Sequence, residues 1–421
     1  MKKKHLKLLV IALASSFCLF FFFSKLKDVE HKQRDLAKIT SFPDTTTTVV
    51  ISNTKKKTKS VMPYELPPLT ISETFRKDIP KNGAFWNRKL HSLLRQFDST
   101  ANQTEKDPHD KFLCQPESFE LIKTNIQDVH LYPPLYGDFL RGMECRDPPL
   151  LINQPDKCAS ENKEDKIFLL FAIKSIPRNF ERRQAIRETW GRGGLYEKRL
   201  QVRTVFLLGR SSADDPNLDK LVSFEAQQFQ DLLVWDFQDS FYNLTLKEHV
   251  FFKWMLDNCP HVSFVFKGDD DVFANTQAIL NHLKTLEPEQ VTALYTGQII
   301  FNANPLRDPK IKYYVPQSFY EGPYPPYAGG GGFLFSGNLL PSLYQVSFYI
   351  PFFPIDDVYN GMCFKALGIT ATQNDGFKTF DIREEDRENP CVHKDLFLVH
   401  QRDPGQTIRL WRNMHSTMLT C

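Results

Sequence analysis

Three consecutive aspartates offer the clearest chemistry in this sequence. Asp269, Asp270 and Asp271 follow the apolar run VSFVF, which ends at Phe266. Adjacent carboxylates repel one another, so a fold tolerates them best beside a cation. On an extended backbone Asp269 and Asp271 point to one face, and their oxygen atoms suit Mn²⁺ or Mg²⁺. The alternative is a solvated acidic turn that caps a helix beginning near Thr276.

A second acidic pair lies later in the chain. Asp356 and Asp357 precede a predicted helix over residues 358–367. Asp is favoured at a helix N-terminus, where it caps the helix and interacts well with the helix dipole. One carboxylate can fulfil that role, which leaves the other available for chemistry.

Basic residues and a lone histidine are further candidates. Arg183 and Arg187 are four residues apart and share one face of a predicted helix. Arginine suits bidentate contact with phosphate, and the alternative is solvent-facing pairing with nearby glutamates. Lys267 either contacts phosphate or balances the aspartates. His400 ends an apolar strand predicted over residues 396–400, where a satisfied core histidine is the ordinary interpretation.

The elements that must position these residues alternate between strands and helices from residue 166 onward. The apolar patterns predict strands over 167–173, 202–208, 232–235 and 262–266, and helices over 182–190, 218–229, 245–256 and 276–286. This alternation predicts an α/β fold with a mostly parallel, doubly wound sheet. Ligands of such sheets bind beyond the carboxyl ends of the strands, which is where the three aspartates follow the fourth strand.

The N-terminal part predicts a membrane anchor and a stem. Residues 1–7 read MKKKHLK and are predicted to form a cytoplasmic tail. Residues 8–23 are sixteen uncharged positions in a row. This pattern favours a signal-anchor transmembrane helix over a cleaved signal peptide or a buried core helix. Lysines flank this run on both sides, so charge alone does not orient it. Residues 24–110 have few patterned apolar stretches and are predicted to form a stem, within which 85–97 is helix-like and a candidate to pack on the main domain. Residues 111–165 are predicted to be a Cys-bearing shoulder of the domain at 166–421.

Cysteines and glycosylation sequons bear on the compartment. Seven of the eight cysteines lie beyond the predicted anchor, so they allow three internal bridges with one left over, and their connectivity stays open. Free buried thiols are the alternative. Asn102 and Asn243 each begin an N-glycosylation sequon. Together with the anchor, these sequons favour a lumen over the cytosol.

The overall composition excludes several classes of protein. The chain of 421 residues has 53 Lys and Arg, 50 Asp and Glu, and a net charge of +3, so a strongly basic nucleic-acid binder is excluded. The hydrophobic share of 41% and the charged share of 24% exclude a wholly disordered chain and a multi-span membrane protein.

Five sequence blocks, all in order between residues 166 and 421, carry a resemblance to a known family. They read RQAIRETWG from Arg183, DFQDSFYNLTLK from Asp236, VFKGDDDVFANT from Val265, YPPYAGGGGF from Tyr324 and IDDVYNGMC from Ile355. They resemble the luminal β-1,3-glycosyltransferases of glycosyltransferase family 31. Among these, the sequence is most similar to the β-1,3-N-acetylglucosaminyltransferases that extend poly-N-acetyllactosamine chains.

The resemblance implies a GT-A-like fold whose Asp-rich motif holds a nucleotide sugar through Mn²⁺ or Mg²⁺. It implies Asp271 as the direct metal ligand, with Asp269 on the ribose or the metal. It also raises His400 as a metal or phosphate contact. The donor site is expected to comprise Ala172, Lys174, Arg183, Arg187, Lys267, Asp269 and Asp270.

On the acceptor side, the resemblance implies an inverting transfer, because the donor is α-linked and the product β-linked. Such a single displacement needs a carboxylate that takes the proton of the acceptor hydroxyl, and motif alignment selects Asp357 as this general base. Asp356, Tyr327, Gly330 and Gly331 are expected to contact the acceptor. In the run 329–332, glycine allows close approach to a sugar and positive φ, and the flanking apolar residues predict a packed turn rather than a hinge.

The function implied is transfer of GlcNAc from UDP-GlcNAc, in β-1,3 linkage, to a terminal galactose of N-acetyllactosamine-type glycans on glycoproteins or glycolipids. The expected location is the Golgi membrane, with type II topology and a luminal catalytic domain. Homo- or hetero-oligomers with other transferases are possible partners, and nucleic acid is not expected. The alternatives are a β-1,3-galactosyltransferase using UDP-galactose, which the IDDV form of the last block disfavours, and a non-catalytic luminal lectin or assembly partner.

Overall fold

The computed structural model describes residues 66–100, 114, 117–159, 166–212, 214–215 and 217–421. The predicted tail at 1–7, the predicted anchor at 8–23 and the sequon residue Asn102 therefore lie outside the described residues. Every helix among the described residues is too short or too polar to cross a membrane.

Two helices that the sequence analysis assigns to the stem belong to the folded unit, which runs from Tyr64 to Cys421. They are α1 (Glu73–Asp78) and α2 (Phe85–Thr100). Trp86 in α2 is fully buried, and its indole N–H donates to the carbonyl oxygen of Pro351 at 3.1 Å. This correction of the stem boundary follows from the apolar spacing of α2, which places Trp86, Leu90 and Leu94 on one buried face.

A small helical shoulder follows. It comprises α3 (Phe119–Asn125) and α4 (Pro134–Gly142), and a disulfide joins Cys114 to Cys145 beside them. A second disulfide, between Cys158 and Cys259, ties the end of the shoulder to the α/β part of the chain.

The α/β part carries the remaining elements. The strands are β1 (Leu150–Ile152), β2 (Ile167–Lys174), β3 (Gly194–Tyr196), β4 (Leu200–Arg210), β5 (Leu232–Gln238), β6 (Phe264–Asp269), β7 (Val272–Ala274), β8 (Tyr295–Ile300), β9 (Tyr327–Ser336), β10 (Thr372–Gln373), β11 (Phe377–Lys378) and β12 (Leu398–His400). The helices are α5 (Phe180–Glu188), α6 (Leu218–Phe229), α7 (Leu244–Asn258), α8 (Thr276–Lys284), α9 (Pro288–Ala293), α10 (Leu340–Val346), α11 (Asp356–Ala366), α12 (Pro390–His393) and α13 (Pro404–Met414).

The main sheet has nine strands in the order β1-β5-β4-β2-β6-β9-β8-β10, with β3 paired to β4. The four strands β5, β4, β2 and β6 run parallel, as the sequence predicts, and the α/β class is confirmed. The prediction of a mostly parallel sheet is wrong, because β9 runs antiparallel to both β6 and β8, and β1 and β3 are also antiparallel to their neighbours. The chain between β8 and β9 is an irregular segment without the crossover helix that a parallel return requires.

A second, three-stranded sheet has the order β11-β12-β7. Strand β7 begins directly after the three aspartates, and β12 pairs with it in antiparallel orientation, with His400 opposite Val272. This pairing brings His400 next to Asp271 although the two residues are far apart in sequence.

Three disulfides and one buried free cysteine, Cys363, confirm the expectation of three bridges with one thiol left over. The third bridge joins Cys391 to Cys421. It closes a loop of the chain that contains β12 and α13.

Candidate active site

A cavity of about 500 Å³ opens where β2 and β6 end. The parallel register places Lys174, the last residue of β2, beside Asp269, the last residue of β6. The wall residues that the sequence analysis nominated are Lys174, Asp269, Tyr327, Gly330, Gly331, Asp356, Asp357 and His400. The cavity therefore collects the predicted acceptor and base residues, together with Asp269 and His400 of the predicted metal residues, at the predicted edge of the sheet.

Lys174 connects the two acidic groups of this cavity. Its ammonium group lies 3.0 Å from a carboxylate oxygen of Asp269 and 2.7 Å from one of Asp356. Burial opposes the charge of Lys174, but the two carboxylates outweigh burial and raise its pKa well above the ordinary value. The lysine is thus a permanent cation between the two acidic groups.

Asp269, Asp271 and His400 form a cluster suited to a metal ion. One ligand atom from each lies within 4.8 Å of the others. His400 donates from Nδ1 to the carbonyl oxygen of Thr379 at 2.9 Å, which turns Nε2 toward Asp271, 3.0 Å away. Two carboxylates and one imidazole suit a divalent cation such as Mn²⁺, and a backbone carbonyl behind the histidine is the usual support for such a ligand.

Electrostatics within this cluster favour its charged forms. Burial opposes ionisation of Asp271, but the hydrogen bond and charge of His400 lower the pKa of Asp271 to about 2. Burial also disfavours the imidazolium of His400, while Asp271 raises the histidine pKa above its ordinary value. Each of the two groups therefore favours the charged form of the other.

Asp356 and Asp357 begin helix α11, and neither side chain caps it, because the N-cap residue is Ile355 and makes no side-chain bond. Burial opposes ionisation of Asp356, but the ion pair with Lys174 lowers its pKa. Burial raises the pKa of Asp357 to about 8, and the charge of Asp356 adds to this effect. The buried oxygen Oδ1 of Asp357 has no hydrogen-bond partner among the described residues.

The four glycines of residues 329–332 lie inside strand β9, so the predicted packed turn is wrong. Their φ angles are not positive, and what they provide is space. A Cβ atom on Gly330 would collide with the carboxylate of Asp357, and one on Gly331 would lie 2.8 Å from Oγ1 of Thr379. Glycine is required here because the side chains of α11 and of the Thr379 segment pack directly against this backbone.

Asp270 does not line the cavity, and its carboxylate is occupied by neighbouring side chains, which argues against its assignment to the donor site. Its carboxylate accepts hydrogen bonds from Ser175 at 2.6 Å, from Asn179 at 2.9 Å and from Arg182 at 3.2 Å. The same guanidinium of Arg182 lies 3.1 Å from Asp271. Arg182 is therefore the arginine that reaches the aspartate motif, and the sequence analysis missed it.

Comparison with known proteins agrees with this geometry. Residues 181–375 match the family model described as Galactosyltransferase. A mouse protein named N-acetyllactosaminide β-1,3-N-acetylglucosaminyltransferase 2 is 45% identical over 360 residues, which cover 83% of this chain and 89% of that protein. The chain belongs to glycosyltransferase family 31.

Other relatives extend the comparison. The human protein of the same name is 43% identical over 361 residues, which cover 83% of this chain and 89% of that protein. A rat protein named UDP-GlcNAc:betaGal β-1,3-N-acetylglucosaminyltransferase 7 is 41% identical over 324 residues, covering 73% of this chain and 80% of that protein. Among solved structures, a galactosyltransferase in complex with donor and acceptor sugar analogues aligns over 56% of this chain and 88% of that chain. The sequence identity is 11% and the TM-score is 0.28, so no argument is based on this similarity.

In this family 31 chain, Arg183 and Arg187 do not reach the cavity, which corrects their assignment to the donor phosphates. Arg183 is fully buried and pairs with Glu225 at 2.6 Å, while Arg187 binds Asp231 through two bonds of 2.8 Å. Both arginines lie on the face of α5 that carries the core residue Ile186. This shared face is a signal in the sequence, since spacings of three and four residues place Arg183, Ile186 and Arg187 together.

Lys267 and Ala172 are also corrected. Both lie within strands of the sheet and are buried, so neither lines the cavity. The ammonium group of Lys267 pairs with Glu248, which is buried in α7. These positions precede the strand ends by two residues, and the side chains that reach the edge are those of Lys174 and Asp269.

The wall residues Lys312, Tyr313 and Phe380 come from segments without a chemical signal in the sequence, whereas Tyr324 begins one of the five family blocks. Tyr313 and Lys312 lie in the irregular segment between β8 and β9, and the ammonium of Lys312 lies over the Tyr313 and Phe241 rings. Tyr324 lines the cavity but packs among aromatic residues, with its hydroxyl buried and without a hydrogen-bond partner in the described part of the chain. Phe380 forms an exposed part of the rim.

The second sequon residue lies near this cavity. Asn243 is the N-cap residue of α7, and its side-chain amide donates to the carbonyl oxygen of Gln238 at 2.8 Å. It is half-buried.

Proposed function

We propose that this chain is a metal-dependent, inverting β-1,3-N-acetylglucosaminyltransferase with a GT-A-like catalytic domain. Its substrates are UDP-GlcNAc and glycans with a terminal galactose of the N-acetyllactosamine type. Relatives that are 41–45% identical are named β-1,3-N-acetylglucosaminyltransferases, which supports a GlcNAc donor and a β-1,3 linkage. The cavity supports a transfer reaction, because it combines a candidate metal cluster with a separate carboxylate pair.

One observation carries the catalytic assignment. Of the two adjacent carboxylates, Asp356 is held ionised by Lys174, while Asp357 has a raised pKa and a buried oxygen without a partner among the described residues. Carboxylates with such different environments take different roles. Asp357 accepts the proton of the acceptor hydroxyl, and Asp356 keeps Lys174 and the helix start in place.

The remaining residues hold the donor. Asp269, Asp271 and His400 would hold the Mn²⁺ or Mg²⁺ ion, with Asp271 and His400 as direct ligands. The chemistry supplied there would be neutralisation of the negative charge on the diphosphate leaving group. Arg182 lies against Asp271 and is placed to contact the same phosphates. Tyr327 and the backbone of Gly330 and Gly331 form the wall against which the acceptor is held.

The test of this function is a donor comparison. The purified protein is incubated with Mn²⁺, an N-acetyllactosamine acceptor and either UDP-GlcNAc or UDP-galactose, and the linkage of the product is determined. We expect β-1,3 transfer of GlcNAc. The family model carries the description Galactosyltransferase, so transfer from UDP-galactose alone would replace this proposal with the galactosyltransferase alternative. Binding of the glycan with no transfer from either donor would favour the lectin alternative.

We further propose a Golgi membrane protein of type II topology, in which residues 8–23 form the anchor and the catalytic domain is luminal. The three disulfides support an oxidising compartment. The test is treatment of the cellular protein with an N-glycosidase, which should increase its electrophoretic mobility by removing glycans from Asn102 or Asn243. An unchanged mobility together with cleavage by a protease added from the cytosolic side would refute this topology.

A further inference from the structure

The turn that follows the metal ligand His400 is held by one buried arginine. The backbone N–H of Arg402 donates to the carbonyl oxygen of Asp271 at 2.7 Å. The guanidinium of Arg402 then donates from Nη1 to the carbonyl oxygens of His400 at 3.0 Å and Gln401 at 3.1 Å. Gln401 adopts a left-handed φ of 62°. A single residue thus holds the backbone of two candidate metal ligands.

Arg402 is in turn held by a carboxylate from a different segment. Its Nη1 lies 2.9 Å from Oδ1 of Asp381, whose side chain is 5% exposed. Asp381 also pairs with Arg387 at 2.8 Å and accepts from the backbone N–H of Ile382 at 2.7 Å. Two residues before Asp381, the carbonyl oxygen of Thr379 accepts the hydrogen bond from Nδ1 of His400.

His400 is therefore fixed from two sides, and the Asp381–Arg402 ion pair joins them. On one side Arg402 holds the main chain of the histidine, and on the other the Thr379 segment holds its imidazole. The ion pair keeps these two segments at a fixed separation. We propose that Asp381 and Arg402 form a positioning pair that sets His400 and Asp271 for binding of the divalent cation.

This inference rests on the proposed metal role of His400 and Asp271. A divalent cation accepts ligand distances only within a few tenths of an ångström, so a small displacement of the histidine turn weakens binding. Residues behind a metal ligand typically change metal affinity about 10- to 100-fold when they are altered. Asp381 and Arg402 touch neither the cavity nor the cation, so their effect passes through His400 and Asp271.

Asp381→Asn is the variant that tests this pair. Asp381 has a left-handed φ of 72°, a conformation that Asn tolerates as well as Asp, so the substitution adds no backbone strain. The amide oxygen can still accept from Ile382, whereas the charge that holds Arg402 and the oxygen that pairs with Arg387 are lost. The matched control is Asp231→Asn, which removes the charge of an equally buried carboxylate that pairs with Arg187 away from the cavity.

The measurement is a titration of the full-length protein with Mn²⁺ in the presence of UDP, in which free Mn²⁺ is quantified by electron paramagnetic resonance. We expect the Mn²⁺ Kd of Asp381→Asn to rise about 10-fold or more, while Asp231→Asn keeps the wild-type value. Thermal unfolding of each variant without Mn²⁺ checks that both are folded. If Asp381→Asn is not recovered in folded form, Arg387→Gln removes the outer partner of Asp381 and should raise the Kd in the same direction by a smaller factor.

The possible outcomes separate this inference from the proposed function. Wild-type protein that does not bind Mn²⁺ would refute the proposed metal role itself. Wild-type binding with an unchanged Kd in Asp381→Asn, or in Arg387→Gln where that variant is needed, would refute only the positioning pair. An equal rise of the Kd in Asp381→Asn and Asp231→Asn would also refute it, because it would show a general loss of stability.

Discussion

Replacing Asp357 by asparagine separates catalysis from structure at the start of helix α11. The amide keeps the size of the carboxylate and fits the space beside Gly330, but it cannot accept a proton from the acceptor hydroxyl. Loss of a general base lowers the rate by on the order of 10² to 10⁴-fold. At about 1.4 kcal/mol for each factor of ten, this corresponds to roughly 3 to 6 kcal/mol of transition-state stabilisation.

A purely structural role predicts a much smaller effect. Asp357 makes no side-chain bond to the helix N-terminus, so its contribution to α11 is limited to its charge near the helix dipole. Such a charge is worth about 0.3 to 1 kcal/mol, which corresponds to at most about fivefold if all of it reached the transition state. The two explanations therefore differ by more than a factor of ten in rate.

The assay measures initial rates with UDP-GlcNAc, Mn²⁺ and an N-acetyllactosamine acceptor, and calorimetry measures the affinity for UDP. We expect kcat of Asp357→Asn to fall by at least about 100-fold, with UDP affinity unchanged because the donor contacts lie on other residues. Asp356→Asn is the control and should be milder, since Lys174 retains its bond to Asp269. Near-normal turnover of Asp357→Asn, or Asp356→Asn as the less active variant, would show that the base is assigned to the wrong residue.

Three further predictions follow from the same geometry. Burial and the charge of Asp356 raise the pKa of Asp357 to about 8, and a base must be ionised, so kcat/KM should rise as the pH increases through about 8. Asp356→Asn should move this rise to lower pH, because it removes a neighbouring negative charge. A flat profile from pH 6 to 9 would contradict the assignment. Gly330→Ala should lower kcat while UDP affinity is kept, since a Cβ atom would displace the carboxylate of Asp357, whereas Gly137→Ala, where the space is open, should leave kcat unchanged. Arg187→Gln should lower the melting temperature and leave UDP affinity unchanged, because it leaves the buried carboxylate of Asp231 without its arginine and Glu225 with Arg183 alone. A selective loss of UDP binding would return Arg187 to the donor site.

The sequence is sufficient to locate the centre of the site because polar residues at the end of an apolar strand are a local signal. Asp269 follows a buried run directly, and Lys174 ends another. His400 likewise ends an apolar run. The antiparallel pairing that brings His400 to Asp271 is not a local signal, since it joins strands separated by more than a hundred residues. Only the resemblance to family 31 connected these two residues in advance.

The errors have different physical causes. The charge of Arg183 and Arg187 predicts a phosphate contact, but the two side chains share a helix face with a core residue and pair with Glu225 and Asp231. The glycine run predicts a turn, because glycine is common in turns. In the structure, the glycines lie in a strand and leave space for side chains that pack closely against its backbone, including that of Asp357. Composition does not distinguish a turn from such a strand.

The disulfide between Cys391 and Cys421 encloses His400 and Arg402 in a covalent loop. For cysteines 30 positions apart, the entropy of closing such a loop in the unfolded chain corresponds to roughly 3.6 kcal/mol of stabilisation. Oxidative folding therefore stabilises the segment that carries the candidate metal-binding histidine. A polypeptide made in a reducing cytosol would lack this crosslink, so the choice of expression host is expected to affect metal binding before it affects secondary structure.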